Sequence, residues 1–186
     1  MKSLRVKLAA GVAVLGVAGV GTAAIAHDRS RFDARLTGYE EVPTLSTLGV
    51  GTFEASINRG KDEIRYTLSY RGPFDANPAG GTVTQAHIHL GATAVNGGII
   101  AFLCSNLGNG PADTPACPAD GSVSGTIKPA QVIGPAAQGI APAEFAELVR
   151  ALRAGAAYAN VHTTTNPNGE IRGQIDADDD DRHGDH

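Results

Sequence analysis

Two histidines stand one residue apart in Gln85-Ala-His-Ile-His-Leu-Gly91, within a chain of 186 residues that contains only six. Imidazole titrates near neutral pH and is the commonest side-chain metal ligand, so the backbone beneath this pair decides what it can do. Residues 82–90 have the composition of a strand bounded by glycine turns. Alternate residues of a strand share a face, which sets Gln85, His87 and His89 on one side and Ala86, Ile88 and Leu90 on the other. The apolar set marks the core. Both imidazoles therefore fall on the polar face with Cβ atoms about 7 Å apart, a spacing from which they can converge on one ion.

A second segment repeats this logic. In Ala157-Tyr-Ala-Asn-Val-His-Thr163, Ala157, Ala159 and Val161 alternate with Tyr158, Asn160 and His162. If the two strands are neighbours, His87, His89 and His162 meet, which is enough for zinc or copper with one position open to water. Glu170 or a loop aspartate would add an oxygen. Such a site is expected to be surface-accessible and to lose its metal as pH falls through ~6.5, because protons compete for the same lone pairs. Without a metal, the rings would hydrogen-bond strand neighbours such as Gln85 or Thr163. Glu40 and Glu41, ahead of Pro43, read as a strand edge, and Glu170 with Arg172 reads either as a solvated pair, the reading favoured for Arg172, or as groups that hold an imidazole tautomer.

The elements that position these residues follow from a period of two. Phe53, Ala55 and Ile57 alternate with Glu54 and Ser56, and after Asn58–Asp62 the pattern resumes as Ile64, Tyr66, Leu68 and Tyr70, a hairpin signature. Further strands are predicted over 31–36, 98–103, 121–127 and 170–175, separated by turns rich in glycine, proline and asparagine. The fold class is all-β, a mainly antiparallel sandwich or barrel of about seven or eight strands. One helix is predicted over 140–155, with proline near its start, bases in its last turn and Gly155 beyond it. Phe145, Leu148, Val149 and Leu152 form its apolar stripe.

Residues 1–26 read as a secretory signal peptide. Lys2, Arg5 and Lys7 precede an apolar run from Leu8 to Ile25, and Ala24-Ile-Ala26 presents small residues for cleavage after Ala26. The run is too short and too rich in glycine for a stable membrane span. Cleavage would take the net charge from −4 to −7 by removing three bases. Residues 27–175 form the expected domain, and residues 176–186, with six aspartates against one arginine, an acidic disordered tail. No basic stripe offers a surface to nucleic acid or an anionic membrane. In the oxidising compartment that export implies, Cys104 and Cys117 are expected to pair, which would contribute about 3 kcal/mol in the chain-entropy model.

Three segments in order, Leu36-Thr-Gly-Tyr-Glu-Glu-Val-Pro43, Ala86-His-Ile-His-Leu-Gly-Ala92 and the run from Tyr158 to Ile175 with its Asn166-Pro-Asn-Gly-Glu-Ile-Arg-Gly173 turn, resemble the CHRD domain of chordin and of secreted bacterial proteins. The resemblance spans about Phe32 to Ile175. It implies an extracellular, largely antiparallel β domain with no established general activity, and the family's recurring histidine positions map onto His87, His89 and His162. The single copy here lacks chordin's cysteine-rich modules, which separates it from growth-factor binding.

Three functions fit these features. The first is a non-catalytic exported binding module, periplasmic or secreted, carrying copper or zinc and recognising an extracellular protein, glycan or matrix component. The second is a copper-dependent redox enzyme, since the architecture is similar to Cu,Zn superoxide dismutase, although that class needs a bridging histidine and an aspartate besides. The third is extracytoplasmic metal buffering, with His183 and His186 in the acidic tail. Hydrolase chemistry finds no support: there is no G-x-S-x-G, no free thiol once the cysteines pair, and no carboxylate pair at a convincing spacing.

Overall fold

The computed structural model describes residues 30–74 and 81–178. The expected signal peptide, its expected cleavage site and residues 179–186 of the acidic tail lie outside the described residues. The strands form where the alternation places them: β1 at Arg31–Thr37, β2 at Val50–Ile57, β3 at Ile64–Arg71, β4 at Val83–Leu90, β5 at Ile99–Ser105, β6 at Gly121–Ile127, β7 at Ala157–Thr163 and β8 at Ile171–Gln174. A two-residue β9, Asp176–Ala177, pairs with β1, so strand pairing continues into the acidic segment.

The strands make one sheet in the order β5-β4-β7-β8-β1-β2-β3-β6, and every pairing is antiparallel. The sheet curls into a nearly closed barrel. Across the barrel, β3 is tied to β5 by a hydrogen bond from Tyr66 Oη to the Leu103 carbonyl at 2.5 Å and to the segment before β6 by one from Tyr70 Oη to the Pro118 carbonyl at 2.7 Å. The Cys104–Cys117 disulfide adds a covalent tie between β5 and the segment leading to β6.

Inward-facing residues from every layer fill the interior, among them Phe53, Leu68, Ile88 and Leu103, none of which retains exposed surface. Each contributes about 1.5–3 kcal/mol by leaving water. The helix α1, Phe145–Arg153, adds Phe145, Leu148, Val149 and Leu152 to the same core. It is shorter than the predicted span. Ala141 precedes Pro142 and is disfavoured in the helical region, and Ala143 takes a left-handed φ of 68°. Residues 140–144 therefore form a turn, in which the Glu144 carboxylate accepts the Ala141 amide at 2.6 Å.

Candidate metal centre

β4 and β7 are direct neighbours, and their register sets Gln85 opposite His162, His87 opposite Asn160 and His89 opposite Tyr158. These six residues share the face turned away from the barrel core. On the other side of β4, the pairing with β5 is broken by register shifts between Ala86 and His87 and between Ile88 and His89. Such irregularities re-aim side chains, and here one falls immediately before each histidine. His87, His89 and His162 come together with their ligand nitrogens all within 4.8 Å of one another. His87 Nδ1 lies 3.1 Å from His162 Nε2.

Two backbone carbonyls fix the tautomers. His89 Nδ1 is 2.9 Å from the Gly97 oxygen and His162 Nδ1 is 3.0 Å from the Pro167 oxygen. A carbonyl only accepts, so both Nδ1 atoms carry the proton and both rings present an Nε2 lone pair. Between His87 and His162, the His162 Nε2 accepts, which makes His87 Nδ1 the donor and leaves its Nε2 bare. His87 Nε2 and His89 Nε2 are buried without a hydrogen-bond partner, an arrangement that costs about 1–3 kcal/mol per atom unless something fills it. Gly97 is required for this geometry, because a Cβ there would lie 1.5 Å from the Leu90 carbonyl oxygen.

The expectation of a surface-accessible site is overturned. His87, His89 and His162 are 0 %, 8 % and 6 % exposed. Alternation correctly separates them from the apolar core, but their own face is covered by the β4–β5 loop, which meets His89 through the Gly97 carbonyl, and by the Asn166–Gly169 turn, which meets His162 through the Pro167 carbonyl. Burial penalises the charged imidazolium. It lowers His89 from its ordinary 6.5 to about 4 and, with the neighbouring His162 and His89 charges, His87 to about 2; His162 moves the same way for the same reason. The expected proton competition near ~6.5 is accordingly displaced to more acidic pH.

A buried polar layer surrounds the histidines. Phe102 meets the His87 ring edge-on at 4.4 Å, and Tyr158 stacks on His89 at 4.8 Å. The Arg172 guanidinium stacks 3.5 Å from the Tyr158 ring centre and donates to Asn96 Oδ1 and to the Ala92 and Val95 carbonyls, which ties the β4–β5 loop down. Arg172 is only 2 % exposed, so it is not a solvated partner of Glu170. Glu170 is also buried, accepting from Thr47 Oγ1 at 2.5 Å, Thr163 Oγ1 at 2.9 Å and the Asn166 amide. Nor is Glu41 on a strand edge. It accepts from Asn160 Nδ2 at 2.6 Å inside the same layer, and burial raises it from its ordinary 4.5 to about 7, against the lowering by Asn160 and Arg172. Glu41, Asn160, Arg172, Tyr158 and Phe102 were not read as site residues from sequence. The signal for Asn160 and Tyr158 was the alternation that exposed His162.

Three neutral nitrogens held at this separation can bind a metal ion, polarise a small ligand or exchange protons; among the described residues no carboxylate or thiolate joins them. An antiparallel barrel with a buried cluster of three histidines under its loops defines an all-β domain with a polar layer outside its core. The chain belongs to the CHRD domain family, whose model matches residues 32–175. The segments that carry the resemblance converge here, bringing Glu41 from the first, both strand histidines from the second, and Tyr158, Asn160, His162 and Arg172 from the third. No curated protein and no solved structure gives a significant match to the chain. Family membership supports a binding module, and the histidine cluster is compatible with a metal ion.

Proposed function

We propose that this CHRD domain is an exported, non-catalytic binding module that carries one transition-metal ion, copper or zinc, on His87, His89 and His162. The observation that carries the reading is the pair of buried, unpartnered Nε2 atoms of His87 and His89 beside a third imidazole whose tautomer is fixed by Pro167. Burial of all three rings favours retention of an ion over turnover of a substrate, which ranks the superoxide dismutase-like alternative below binding. Exposed Tyr39, Leu48 and Val95 on the covering loops are the apolar contacts offered to an extracellular protein, glycan or matrix partner. Buffering by the tail histidines is ranked last, because the buried cluster already offers three nitrogen donors inside the domain.

Metal analysis of protein purified from its native compartment tests the reading, with a His162→Ala variant prepared in parallel. The expected result is close to one ion per chain in the wild type and much less in the variant, with His183→Ala unchanged. Equal metal content in the wild type and the His162→Ala variant would rule the site out.

A further inference from the structure

Resting on the metal-site reading above, we propose that the ion held here is monovalent copper, bound by three neutral imidazoles alone. The donor set has no negative charge. The Gly97 and Pro167 carbonyls accept from Nδ1 of His89 and His162 and so direct the Nε2 lone pairs of both rings to the cluster, and His87 supplies the third nitrogen. The nearby anions are committed elsewhere: Glu170 to Thr47, Thr163 and Asn166, and Glu41 to Asn160. Both cysteines are spent in the disulfide.

The surroundings add to this bias. Phe102 and Tyr158 wall the cluster with aromatic surface, and the Arg172 guanidinium, a fixed cation, stacks on Tyr158. The cost of burying an ion grows with the square of its charge, so a dication costs about four times as much as a monocation of the same size. Zinc at a three-histidine site keeps an open position for water, and the burial of these rings separates that position from bulk solvent. A d¹⁰ monovalent ion that accepts three nitrogens without a counter-ion fits both constraints.

Anaerobic titration of the metal-free protein with Cu⁺ against a chromophoric chelator tests this, with Ag⁺ as a redox-inert monovalent probe and Zn²⁺ and Cu²⁺ as divalent comparisons. The expected result is one equivalent of Cu⁺ and of Ag⁺, each held about 100-fold or more tighter than Zn²⁺ and also tighter than Cu²⁺, which outranks zinc at most nitrogen sites. His89→Gln and His162→Gln should lose the Cu⁺ site; if either variant fails to fold by circular dichroism, the comparison of metals on the wild type decides alone. Zn²⁺ or Cu²⁺ binding at the histidines as tightly as Cu⁺ would overturn the monovalent assignment and leave the metal site standing. Absence of binding by all four ions would overturn both.

Discussion

At the scale of single residues, three buried histidines make the metal-free protein sensitive to acid. Their folded-state values lie below the ordinary 6.5, to about 4 for His89 and about 2 for His87, so below about 6.5 the unfolded chain binds protons that the folded one refuses. Stability they contribute is present above that pH and lost as pH falls. Glu41 has the opposite sign: with a folded value of about 7 against 4.5, its contribution is complete below 4.5 and disappears as pH rises through 7. The histidines outnumber it, so the urea midpoint of apo protein is expected to be lower at pH 5 than at pH 7.5, with a smaller difference in His162→Gln. A midpoint indifferent to pH would contradict their burial. Asn160→Ala should cost about 1–3 kcal/mol by leaving the Glu41 carboxyl buried without its amide donor, measurable by chemical denaturation. All three histidines were legible in the sequence because alternation names a face. Their burial was not, since alternation distinguishes core from non-core but cannot say whether loops cover the second face. Arg172 shows the same limit: a charged residue in a strand beside Glu170 has the pattern of a solvated pair, and only the fold reveals the carbonyls of residues 92 and 95 that surround it.

At the scale of elements, eight predicted strands correspond to β1–β8 because each buries one face against the same interior, where period-two patterning is a direct consequence of geometry. The helix ended up short at its N-terminus, where local backbone preference around Pro142 prevailed over a favourable composition. What sequence left open was the order of the strands, because the β4–β7 pairing that unites the histidines joins segments about 70 residues apart. The Cys104–Cys117 bond formed as expected and lies on the closing edge of the barrel, away from the histidine face. Replacing both cysteines with serine is expected to lower stability by roughly 3 kcal/mol in the chain-entropy model, read as a fall in Tm, while metal affinity below the new Tm stays within a few-fold of wild type. Loss of affinity in the folded variant would place the disulfide in the site. The β4–β5 loop is pinned by Arg172, so Arg172→Met should raise the rate of metal release in stopped-flow chelator exchange; an unchanged rate would remove this loop from the path of the ion.

At the scale of the whole molecule, the domain is a nearly closed barrel whose core supplies stability and whose loop-covered outer layer holds the buried histidines. Export, which we propose, would bring such a domain to an oxidising compartment where its disulfide persists. Cleavage after Ala26 is expected, and intact-mass measurement on exported protein would show a chain beginning at His27; one retaining Met1 would contradict export by this signal. The role of the domain turns on whether its three imidazoles share one ion. Crystals grown from protein loaded with a single equivalent of copper, measured at and below the copper absorption edge, test this most directly. The account predicts one anomalous peak about 2.0–2.1 Å from a ring nitrogen of each of His87, His89 and His162, with no second peak of comparable height. Anomalous density confined to other residues, with His87 Nδ1 still hydrogen-bonded to His162 Nε2, would contradict it.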